Sequence, residues 1–132
     1  MRLVLILLIT FLHFGSNAQN KYSYSGLLII ENLKKPISLI LELVEEKGIV
    51  SGYSITNAGE KDETKSEITG LYFKKEKSFH LTETQIISTN SEAEINTFCF
   101  INMQLEMKGK KKLDGTFTGN YLDSSECAKG SI

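Results

Sequence analysis

The feature that most constrains this chain is a period of two in its apolar residues, clearest between residues 95 and 121. There Ile95, Cys99, Ile101, Met103, Leu105 and Met107 share one parity, while Asn96, Asn102, Gln104 and Glu106 hold the other. This is the pattern of a β-strand with one face on a core and the other in water. Phe98 and Phe100 put oil on the polar face as well, so near Cys99 both sides of the strand are expected to be covered. Leu113, Phe117 and Tyr121 repeat the alternation against Lys112, Asp114, Thr116, Thr118 and Asn120. Residues 108–111 join the two runs as a turn, in which Gly109 supplies any positive φ required.

The same reading extends upstream. A first strand runs from Tyr22 to Ile30, with Gly26 as a bulge or close approach. After a turn holding the single proline, Pro36, the residues Ile37, Leu39, Leu41 and Leu43 mark a second. Residues 49–56, 65–73 and 78–87 are three more, separated by polar connectors at 45–48, 57–64, 74–77 and 88–94. Beyond the hairpin, residues 122–129 read as a loop carrying Cys127, and 130–132 as the start of a last strand. About eight consecutive strands with no helical period predict an all-β antiparallel meander. Such a meander removes its exposed edges by closing into a small barrel. Eight strands leave an interior filled by side chains or holding one small ligand. An open bent sheet or a β-sandwich is the alternative.

The N-terminus has a different character. Arg2, the apolar run from Leu3 to Leu12 and the small residues Ser16 and Ala18 form the three regions of a signal peptide. The apolar run is shorter than the ~20 residues of a membrane span. The expected organisation is therefore a signal peptide at 1–18 and a single β domain at 19–132, exported to the periplasm or the medium, with no stable membrane insertion after cleavage. Export sets the reading of the two cysteines: in an oxidising compartment Cys99 and Cys127 are expected to form a disulfide. With 15 basic and 16 acidic residues the chain has no electrostatic claim on nucleic acid. The densest basic group, Lys108 with residues 110–112, falls on the hairpin turn and reads as a solvated tip.

Two resemblances add to this. The Ala18-Gln19 ending resembles the signal peptides of secreted Bacteroidetes-type bacterial proteins. Gly48-x-x-x-Gly52-Tyr53 and Gly115-x-x-x-Gly119-x-Tyr121, each on an expected strand, resemble small calycin-type barrels of the avidin and lipocalin kind. That resemblance implies a secreted barrel with an interior ligand site. The chain has no tryptophan, so the tryptophans of those families are unmatched and no binding residue is carried over.

Catalytic signals are sparse. His80, the one histidine beyond the leader, shares a face with Thr82 and Thr84 and is expected at the surface. No nucleophile elbow accompanies it, and an enzyme is not expected unless His80 meets a carboxylate such as Glu83 or Glu67 in a cleft. Glu60, Asp62 and Glu63 alternate with Lys61 and Lys65 without the ligand spacing of a calcium loop, so no metal or cofactor is expected. Tyr53, Phe73, Phe117 and Tyr121 are the candidate ligand or interface contacts. The function these readings favour is a non-enzymatic exported binding protein holding a small or apolar ligand. The alternative is a secreted or envelope interaction module or inhibitor acting through loops 57–64 and 88–94.

Overall fold

The computed structural model describes residues 18–132; the expected signal peptide lies outside the described residues apart from Ala18. Eight strands follow one another: β1 (Asn20–Ile30), β2 (Ile37–Glu46), β3 (Ile49–Thr56), β4 (Thr64–Phe73), β5 (Ser78–Thr89), β6 (Phe100–Lys108), β7 (Lys112–Asn120) and β8 (Glu126–Ser131). Each pairs antiparallel with the next and β8 returns to β1, so the meander is a closed barrel.

Alternation places the side chains as the period of two demands. Leu39, Leu41 and Leu43 of β2, Phe79 and Leu81 of β5, and Met103 and Leu105 of β6 point inward and are buried. The β6–β7 hairpin runs from Phe100 opposite Asn120 to Lys108 opposite Lys112. Gly109 in its turn has φ 73°, a left-handed conformation that costs glycine little.

One end of the barrel is plugged by rings. Phe79 is fully buried, with Tyr22 edge-on at 5.2 Å between centroids and Tyr72 at 4.8 Å. The Tyr72 hydroxyl donates to Met107 Sδ at 3.7 Å. Such ring pairs contribute about 0.5–1.5 kcal/mol each beyond simple burial. Beside the plug the Glu45 carboxylate accepts from Asn20 Nδ2 and the Gly48 N–H, both at 2.8 Å. The Asn20 and Gly48 hydrogen bonds hold its pKa below the ordinary value.

At the other end the wall comes apart. β5 shifts register twice against β4, between Lys65 and Ser66 and between Glu67 and Ile68. It pairs with β6 only from Ser78 to Thr82, so the remainder of β5 splays away and leaves a mouth.

Two expectations need correcting here. Residues 95–97 do not open the sixth strand but form a short 3₁₀ turn, in which Thr97 Oγ1 donates to the Glu94 carbonyl at 2.6 Å. The chain must travel across the mouth before it can join β7. Cys127 also lies in a strand rather than a loop, because β8 begins at Glu126 and runs beside β7. That strand closes the barrel with only two residue pairs, Ile29 with Ser131 and Ile30 with Gly130, extended by the Glu31 N–H donating to the Lys129 carbonyl at 2.9 Å. A side chain at Gly130 would overlap the Ile29 carbonyl oxygen, so the seam depends on glycine there.

Candidate functional site

The open end holds a cavity of about 460 Å³, within the range of about 300–1,000 Å³ typical of small-molecule sites. Its wall divides by strand. From β6 through β7, β8, β1 and β2 the lining is apolar, with Ile101, Phe117, Ala128, Leu28, Ile30 and Ile37. From β3 through β5 it carries hydroxyls and acid, with Thr56, Thr64, Ser66 and Glu83. The polar arc is held in place by its own bonds: Thr64 Oγ1 lies 2.8 Å from Thr89 Oγ1 across the β4–β5 pair.

Glu83 is the unusual member. It sits at the point where β5 leaves β6 and is only 7 % exposed. Ser54 Oγ–H donates to its Oε1, and the Ile101 N–H donates to its Oε2 at 2.9 Å. The side chain thus supplies an acceptor to β6 just past the last β5–β6 residue pair. Burial pushes its pKa above the ordinary carboxylate value, against the two hydrogen bonds, which act in the opposite direction. The other carboxylate on the lining, Asp62, lies at the mouth and accepts from Asn57 Nδ2 at 3.1 Å. No Lys, Arg or His lines the cavity among the described residues.

The disulfide forms part of the apolar wall. Cys99 and Cys127 are joined with their Cα atoms 5.9 Å apart, and both line the cavity. The bond spans β7, which lies between its two anchors. It can do so only because residue 119 has no side chain: a Cβ there would overlap Cys99 Sγ and come within 3.1 Å of Cys127 Sγ.

The aromatic candidates separate. Phe117 and Tyr121 line the cavity. Tyr53 is outside it, with the Lys65 ammonium 3.9 Å above its ring, and Phe73 packs 4.7 Å from the His80 ring. His80 is exposed and lies on the opposite face of β5 from Glu83. Glu67 is occupied by Thr84 Oγ1 at 3.1 Å and Gln85 Nε2 at 2.8 Å. Loops 57–64 and 88–94 form the rim, where Asn57, Asp62, Ser91 and Ala93 meet the cavity. They are tied by the Asn90 N–H donating to the Glu63 carbonyl at 2.9 Å.

Glu83 was legible in the sequence by parity, since it falls in register with Phe79 and Leu81 on the apolar face. An acid in such a place marks either a buried partner or a site. No group of three or more His, Cys, Asp or Glu side chains able to hold a metal occurs among the described residues, and no helix among them is long and apolar enough to cross a membrane. Comparison with protein-family models, with curated proteins and with solved structures finds no match to this chain.

Proposed function

We propose that this is an exported, non-enzymatic binding protein that holds one small amphipathic ligand in the open end of its barrel. The observation that carries the reading is the cavity itself: a plugged floor, an apolar arc, a hydroxyl-bearing arc and a rim made by two loops. An apolar body against Ile101, Phe117 and Leu28 gains about 0.8 kcal/mol for each CH₂ it buries. The hydroxyls of Thr56 and Ser66 fix its orientation by hydrogen bonding. The eight-strand meander barrel supports a calycin-like assignment at the level of architecture. The Cys99–Cys127 bond supports an oxidising destination, as does the leader read from residues 1–18.

Titration with the neutral dye Nile red tests the reading. The folded protein should bind it saturably and one-to-one with a blue-shifted emission. Thr56→Trp, which fills the mouth, should abolish the signal while leaving the circular dichroism unchanged. Absence of saturable binding to the folded protein refutes the small-ligand function.

A further inference from the structure

We propose that the ligand class of this cavity is a small amphipathic amine, its ammonium seated on Glu83 and its carbon skeleton on the apolar arc. The inference rests on the ligand-binding reading above and adds the charge of the ligand.

The lining carries carboxylates at two levels, Asp62 at the mouth and Glu83 deep in the wall, with no cationic side chain among the described residues to balance them. A fatty-acid-like carboxylate would enter against both and find no countercharge. A neutral ligand would leave the buried acid unused. An ammonium meets Asp62 first and Glu83 last, so its attraction grows as water is lost around it.

The carboxyl has the capacity for this. An ionised carboxylate offers about four acceptor positions, and Ser54 and Ile101 use two. Ser54 Oγ–H and the Ile101 N–H each donate to one of its oxygens, while burial favours the neutral acid over the carboxylate where no countercharge is near. The groups packed on it, Ser54 of β3, Ile68 of β4 and Ile101 of β6, are uncharged, so a countercharge for the ionised form arrives with the ligand. For the fraction of Glu83 that is protonated beforehand, the step balances as R–NH₃⁺ plus the neutral acid giving the R–NH₃⁺·carboxylate pair and a proton released to solvent.

Calorimetry with octylamine, octanol and octanoate at about pH 7 tests the charge, because at that pH the amine is cationic and the acid anionic. The amine should bind at least about tenfold more tightly than the alcohol, the equivalent of one pKa unit, and octanoate more weakly than either. Glu83→Gln keeps an acceptor for the Ile101 N–H, and its amide N–H can donate to Ser54 Oγ, whose hydroxyl accepts as well as donates. It should erase the amine preference while leaving the alcohol affinity unchanged within about threefold. Titrations in buffers of different ionisation enthalpy, stepped upward from about pH 4, should show more proton released per amine bound than per alcohol bound. This readout needs only the native chain and decides the matter even if the variant does not fold. An amine that binds no better than the alcohol, keeps its preference in Glu83→Gln or shows no excess proton release at any pH of the series overturns the amine assignment and leaves the ligand-binding reading standing. Failure of all three probes to bind overturns the amine assignment, and overturns the ligand-binding reading as well when Nile red also fails to bind.

Discussion

Replacing Cys99 and Cys127 together with alanine removes a covalent link between residues 28 positions apart. On the chain-entropy model a loop of that length constrains the unfolded chain by about 3.5 kcal/mol, against a total of about 5–15 kcal/mol for a domain of this kind. The melting midpoint should fall by about 10–18 °C, given about 3–5 °C per kcal/mol at this size. The structure adds a second, sharper expectation. Gly119→Ala should be severely destabilising while the disulfide is present, because its Cβ overlaps Cys99 Sγ. Once both sulfurs are gone, the nearest remaining neighbour of that Cβ is Ala128 Cβ at 3.6 Å, an ordinary contact. The two changes should therefore couple in a double-mutant cycle by more than about 1 kcal/mol, the triple variant being more stable than the separate losses add up to. Urea unfolding followed by circular dichroism on the four proteins measures this. A cost for Gly119→Ala that is the same with and without the disulfide would refute the claim that the bond needs glycine beneath it.

The buried acid makes a prediction about pH. Folding raises the Glu83 pKa, so the stability gained from its protonated form is complete below the unfolded value of about 4.3 and is lost as pH rises through the folded one. Wild-type protein should lose stability relative to Glu83→Gln between about pH 4 and the raised value, and an opposite slope in urea midpoints refutes the assignment. Glu45 has the reverse sign: its pKa is lowered, so its contribution is present above the unfolded value and lost in acid, and Glu45→Gln should remove that loss. Phe79→Ala should cost about 3–5 kcal/mol by emptying the ring plug, yet change Nile red affinity little, since the plug lies at the end away from the cavity. Gly130→Ala should open the β1–β8 seam, seen as faster amide exchange at Glu31, whose N–H is held across that seam.

Most of the barrel was readable because period two is a local property, and the strands from β2 to β5 and the β6–β7 turn follow it closely. The failures came where local pattern and long-range geometry part. Ile95 falls in phase with Cys99 and Ile101, yet residues 95–97 turn rather than extend, because splaying of β5 removes the partner that would have kept them in a ladder. The segment of β8, ECAKGS, has little apolar alternation, and its strand character comes from pairing with β7. Parity does separate Phe117 and Glu83, on the inward rows, from Tyr53 and Phe73, on the outward ones. What it could not show was that two register shifts in β5 would turn the upper part of the interior into a cavity.

The seam between β1 and β8 also sets an order of events. Seven of the eight ladders join neighbours in sequence and can form as short hairpins, whereas Ile29 and Ile30 must wait for partners about 100 residues further along. Until then β1 presents an unpaired edge whose outward Leu27 and Ile29 stay half exposed even in the finished barrel. During synthesis from the N-terminus this edge is the first strand made and the last to be completed. It is the segment most open to pairing with a second chain, so yield on refolding should depend more on protein concentration than on the stability of the native state.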